Sequence, residues 1–193
     1  MSEVKRTYYE SGKLKTEVFL INGKKNGEEK LYYENGQLEE ICSYIDDKMH
    51  GEYKTYYENG CGLSSDNSKR KNLSSTDSFG QLCEIFICIN GKRNGEKKRY
   101  YENGQLEEIC TYIDGKLNGE YKSYYENGQL EHICTYIDGK KKGEKKWYYE
   151  NGQLFREVNY IDDNDDNENC EYKEYHQNGQ LSNSIIYNEL YEK

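Results

Sequence analysis

The chain has 193 residues, with 27 Lys and Arg against 36 Asp and Glu, for a formal net charge of −9. That length holds one domain or at most two, and that charge argues against nucleic acid as a partner, because phosphate binding needs a surplus of basic groups. No apolar run approaches the ~18 residues of a membrane span, and the opening MSEVKRTYYE lacks the apolar core of a signal peptide.

The chain is organised by a repeat. Tyr-Tyr-Glu-Asn-Gly-Gln-Leu occurs at Tyr32–Leu38, Tyr100–Leu106, Tyr124–Leu130 and Tyr148–Leu154. Related copies start at Tyr8, Tyr56 and Tyr175, so seven copies span the chain with a period of 24 residues. Residues 1–60 form the first block of repeats. Cys61–Gly80 is an insertion rich in Ser, Asn, Asp and Lys, and it reads as a mobile loop. Residues 81–187 resume the repeat, with a short acidic insertion inside Asp162–Cys170. Residues 188–193 are a tail that could close in a short capping turn.

Each unit reads as two short strands. Eleven Asn-Gly dipeptides punctuate the chain, and Asn35-Gly36 predicts a two-residue type I′ hairpin, whose central residues both need positive φ. That turn sets Tyr33 opposite Leu38, Leu31 opposite Glu40 and Glu29 opposite Cys42. One face then carries Tyr33, Leu31, Leu38, Cys42 and Tyr44; the other carries Tyr32, Lys30, Ile41 and Ile45. The expected fold is all-β: an elongated single-layer antiparallel meander of hairpin repeats. Low apolar content would suggest disorder, but 22 Tyr in strict period oppose it.

The recurring YYENGQL, the IDGK at Ile113–Lys116 and the NGEYKSYYENG at Asn118–Gly128 resemble the MORN repeat family in its variant form. The resemblance implies a hairpin-repeat scaffold for protein–protein contact, dimerisation or lipid-associated assembly. Similar bacterial proteins are described as antitoxins, which implies a neutralising role as a further alternative. It brings no catalytic residues. Cys170 replaces the Gly of the column Gly27, Gly51, Gly95, Gly119 and Gly143, and His176 replaces the second Tyr. Both read as a worn terminal repeat.

No catalytic constellation emerges, so the protein is expected not to be an enzyme and to carry no cofactor or metal. His50, His132 and His176 fall at unrelated repeat positions and read as solvated. Cys42, Cys110 and Cys134 share a column with Val18, Phe86, Val158 and Ile185, so they read as small core residues. Seven Cys without a CxxC pair point to a reducing, cytoplasmic compartment. Cys61 is the expected reactive thiol. Asp163, Asp165, Asn167 and Glu174 approach a calcium-loop spacing, but Glu168 stands where that loop needs Gly.

Two surfaces are candidates for a partner. Tyr33, Tyr57, Tyr101, Tyr125 and Tyr149 would form an aromatic stripe on one face, able to bind a protein or a second copy. Lys92, Arg93, Lys116, Lys140, Lys141 and Lys142 would line the opposite turn edge as a basic rim. Such a rim suits an acidic partner or an acidic lipid headgroup, and so a location peripheral to a membrane.

Overall fold

The computed structural model describes residues 1–58, 80–160 and 170–187. The expectations for the long insertion, the Cys61 thiol, the acidic loop and the C-terminal tail lie outside the described residues, apart from a few flanking positions.

The described chain is all-β. Strands β1 (Ser2–Tyr8), β2 (Leu14–Ile21), β3 (Lys24–Tyr32), β4 (Leu38–Ile45), β5 (Lys48–Tyr56), β6 (Leu82–Ile89) and β7 (Lys92–Arg93) come first. Then follow β8 (Gly95–Tyr100), β9 (Leu106–Ile113), β10 (Lys116–Leu117), β11 (Gly119–Tyr124) and β12 (Leu130–Ile137). The last are β13 (Lys140–Tyr148), β14 (Leu154–Tyr160), β15 (Cys170–Tyr175) and β16 (Leu181–Tyr187). Hydrogen-bonded order follows chain order, with the short β7 and β10 pairing back to β6 and β9. The result is the antiparallel meander of hairpin repeats that the period predicts.

Two compact units divide the chain: Met1–Asn94 with Lys98–Gln105, and Gly95–Lys97 with Leu106–Lys193. In the first unit one row of cross-strand partners runs Val18, Glu29, Cys42, Tyr53, Phe86. Of these, Cys42 is wholly buried, and Val18 and Phe86 nearly so. In the second unit the equivalent row holds Cys110, the pair Tyr121–Cys134 and the run Lys145, Val158, Tyr172, Ile185. Cys110, Cys134 and Val158 are buried there. The core is thus thin: besides this row, Leu38 and Cys88 are buried in the first unit and Ser123 and Cys170 in the second. Small side chains sink between long neighbours, which explains why Cys and Val suffice. Ile185, in the last strand, is 36% exposed and falls outside that pattern.

The turns differ from the sequence reading. At Glu34-Asn35-Gly36, Gly36 N–H bonds Tyr33 C=O at 2.8 Å and Tyr33 N–H bonds Gln37 C=O at 2.9 Å. Only Gly36 has positive φ, at 91°. This is a three-residue loop closed by a glycine bulge, not a two-residue type I′ turn. Asn35 serves it through its side chain, whose Oδ1 accepts the Gln37 N–H at 2.8 Å. Leu38 therefore lies opposite Tyr32, not Tyr33, while the Leu31–Glu40 and Glu29–Cys42 pairs stand.

Type I′ turns occupy the other edge. Asn22-Gly23, Asp46-Asp47, Asn90-Gly91, Asp114-Gly115 and Asp138-Gly139 all have positive φ at both residues. Each joins an Ile to a Lys in direct register, as Ile21 to Lys24. The residues after the turn form a bulge: Leu20 pairs Lys25, yet Val18 pairs Glu29. Gly27 turns through it with φ 105°.

Candidate interaction surfaces

Alternation sends the buried row to one face, here called the cysteine face. The opposite, lysine face is a ladder of its own. In the first unit it runs Glu17, Lys30, Ile41, Lys54, Ile85, Lys98. In the second it runs Ile109, Lys122, Ile133, Lys146, Glu157, Lys173. Lys30, Lys54, Lys122, Lys146 and Lys173 each pair with the Glu two residues earlier, at 2.7–2.9 Å. These exposed pairs set side-chain order more than stability.

The second tyrosines of the repeat are half-buried, and their hydroxyls are committed. Tyr33 donates to the Tyr56 carbonyl at 2.7 Å and Tyr57 to the Tyr100 carbonyl at 2.7 Å. Tyr125 donates to the Tyr148 carbonyl at 2.7 Å and Tyr149 to the Tyr175 carbonyl at 3.0 Å. Burial raises the Tyr33 and Tyr125 pKa values, with nearby glutamates adding to the shift. Tyr101 is half-buried as well. These rings tie neighbouring repeats together.

The basic rim divides between the faces, because adjacent residues of a strand alternate. Lys92, Lys116 and Lys140 stand opposite Ile89, Ile113 and Ile137. Lys116 pairs with Asp138 at 2.8 Å. Arg93 and Lys141 turn to the cysteine face: the Arg93 guanidinium lies 4.6 Å from the Phe86 ring centroid, and Lys141 stands opposite Tyr136. Lys142 pairs Thr135.

Sequence reasoning missed the isoleucines beside these lysines. Ile21, Ile45 and Ile89 in the first unit are 41%, 51% and 45% exposed, and Ile113 and Ile137 in the second are 53% and 54% exposed. The signal was available: Ile precedes every I′ turn and pairs a Lys across it.

His132 corrects the expectation of solvated histidines. Its Nδ1 lies 2.6 Å from Ser123 Oγ, which also bonds Glu131 at 2.8 Å. Its ring stacks on Tyr121 with centroids 5.0 Å apart. Burial lowers its pKa, and Lys145 lowers it further. The carboxylate bonds the serine, not the imidazole, so the three do not form the relay of a nucleophilic triad. Among the described residues no three His, Cys, Asp or Glu side chains are grouped to hold a metal ion. No helix among them is long and apolar enough to cross a membrane.

Repeated hairpins of fixed length, tied by tyrosine hydroxyls around a thin core, define a β-hairpin repeat protein. The chain belongs to the MORN repeat variant family, whose profile matches residues 4–22, 25–46, 49–60, 93–114, 117–138, 141–162 and 171–189. No curated protein matches this chain. Among solved structures, the crystal structure of TcdB2-TccC3-Cdc42 is similar over 96% of this chain at 12% identity and a TM-score of 0.24. The chain spans 11% of that chain's length, and a likeness of this size carries no argument about fold or function.

Proposed function

We propose that this protein is a non-enzymatic scaffold that binds a protein partner, or a second copy of itself, through one face of its sheet. The observation that supports this best is the isoleucine row. Within each unit, side chains that a folded chain would gain by covering recur at the same turn position, 41–51% exposed in the first and 53–54% in the second. Scattered exposed apolar residues need no explanation, whereas an aligned row marks a contact surface. The tyrosine stripe on Tyr33, Tyr57, Tyr101, Tyr125 and Tyr149 offers ring surface to the same end, but its bonded hydroxyls are spent within the sheet. A reducing, cytoplasmic setting suits free buried thiols.

The test replaces Ile45 and Ile89, and separately Ile113 and Ile137, by Glu. Partner capture from the native source, or dimer mass by sedimentation, should be lost while strand content by circular dichroism persists. Unchanged capture and unchanged mass would exclude the isoleucine row.

A second reading has one observation in its favour. The exposed isoleucines stand directly opposite Lys24, Lys48, Lys92, Lys116 and Lys140. Apolar tips beside ammonium groups suit the headgroup boundary of an acidic membrane. Co-sedimentation with phosphatidylserine vesicles separates this reading from the first.

A further inference from the structure

Equivalent positions of different repeats can be compared directly, and around one point of the second unit their charge is inverted. In the first unit the Lys25 ammonium bonds both oxygens of Glu29 at 2.6 Å. The equivalent residues of β13 are Lys141 and Lys145. Lys97 pairs with Glu108 at 2.8 Å. Lys145 is the equivalent of Lys97 two repeats further on, and beside it Arg156 stands where Glu108 stands. His132, which stands opposite Trp147, occupies the repeat position of Glu84. Two carboxylates of one column, Glu84 and Glu108, are replaced by His132 and Arg156, and Lys145 stands where Glu29 stands in the first unit.

Among the described residues, the arginine of this group is paired and its lysines are not. Arg156 is engaged by Glu174 at 2.8 Å and lies over the Tyr172 ring. Lys145 sits 4.3 Å from the Trp147 ring centroid. Among the described residues, neither Lys141 nor Lys145 meets a carboxylate. Burial lowers the Lys145 pKa, and Lys141 and then Arg156 push the same way. This concentration of positive charge stands in a chain of net charge −9.

We infer that Lys141 and Lys145, flanked by Tyr136 and Trp147, form a docking site for an acidic peptide segment of a protein partner. Its carboxylates pair with the Lys141 and Lys145 ammonium groups as Glu29 and Glu108 pair with Lys25 and Lys97. The guanidinium, the group best shaped to grip a phosphate in two-pronged fashion, is already occupied by Glu174. What remains is two ammonium point charges along one strand, with aromatic rings beside them for the peptide's apolar stem. The inference rests on reading the protein as an interaction scaffold, but it concerns the cysteine face. Loss of function in the isoleucine variants and loss at this site are therefore separable.

Trp147 is the chain's one tryptophan, so its emission reports on the site. The probe is a fluorescein-labelled octaglutamate peptide, titrated into the full chain at low salt, with anisotropy and tryptophan emission both followed. Saturable binding with a change in both signals is expected. Lys145→Glu should weaken it about tenfold or more, the ~1.4 kcal/mol step of one lost charge contact. His132→Glu restores the repeat's own carboxylate and should weaken binding by a similar factor while circular dichroism stays unchanged. Lys116→Glu, the same charge change on the other face, should shift affinity no more than roughly twofold. The inference is overturned by absent saturation or by equal losses in Lys116→Glu and Lys145→Glu. Preference for inorganic phosphate or phosphatidylserine vesicles over the peptide overturns it as well.

Discussion

The Tyr33 hydroxyl donates a 2.7 Å hydrogen bond to the main-chain carbonyl of Tyr56, in the next repeat. Tyr9 does the same to the Tyr32 carbonyl at 2.6 Å. Each bond adds a side-chain tie to the strand ladder, at the loop end where the ladder has run out. Tyr33→Phe keeps the ring and removes the tie. It should lower stability by about 1 kcal/mol in urea unfolding, the worth of one hydrogen bond with its acceptor left unpaired. Tyr125→Phe should cost a similar amount in the second unit. Neutral behaviour of both variants would show that water replaces the hydroxyl without loss.

The bulge glycines make a different demand. Gly51 has φ 109°, and a Cβ there meets Ser43 at an ordinary 3.6 Å. The obstacle is therefore backbone conformation and not space. Gly51→Ala should cost about 1–2 kcal/mol, because an L-residue resists that φ. Gly36→Asn should cost less, since Asn tolerates left-handed backbone. Thermal melts of the two variants rank them; the reverse order would place the strain in the loop.

Lys97 is 8% exposed, and it shares Glu108 with the Tyr121 hydroxyl, both at 2.8 Å. Burial would raise the Glu108 pKa, but the hydrogen bonds from Lys97 and Tyr121 outweigh it and hold the carboxyl below its ordinary range. A depressed carboxyl stabilises the fold above the unfolded pKa of ~4.3, and that contribution is lost as pH falls through the lower folded value. Glu108→Gln removes a carboxylate that a buried ammonium and the Tyr121 hydroxyl share and should cost about 3 kcal/mol at neutral pH. The same variant should show a shallower loss of melting temperature in acid than the parent. A parallel acid limb in both proteins would mean that other carboxylates dominate it.

Burial pushes the Cys42 and Cys110 thiols up to about 11. Unfolded thiols ionise near ~8.5, so this contribution is whole below that pH and fades as pH rises towards the folded value. Native thiol labelling at these positions should be slow and limited by unfolding. Cys42→Val, matching Val18 and Val158 of the same column, should keep the fold and reduce alkaline sensitivity. Rapid labelling of native Cys42 would contradict its burial.

The architecture was legible in the residues alone. A 24-residue period with Asn-Gly punctuation allows little but paired strands, because local turn chemistry and alternation agree in every copy. The buried column of Cys42, Cys110, Cys134, Val18, Phe86 and Val158 was legible for the same reason: one position repeatedly took a small or medium apolar side chain. Which turns are type I′ was settled only in three dimensions. Asn-Gly suits a two-residue turn and a glycine bulge alike, and the choice depends on where the first cross-strand bond closes. That choice moved Leu38 from Tyr33 to Tyr32. Nor could sequence reveal that Tyr33 reaches the Tyr56 carbonyl or that Arg156 meets Glu174. Both contacts cross between strands whose register is set by bulges, and a bulge shifts every partner beyond it.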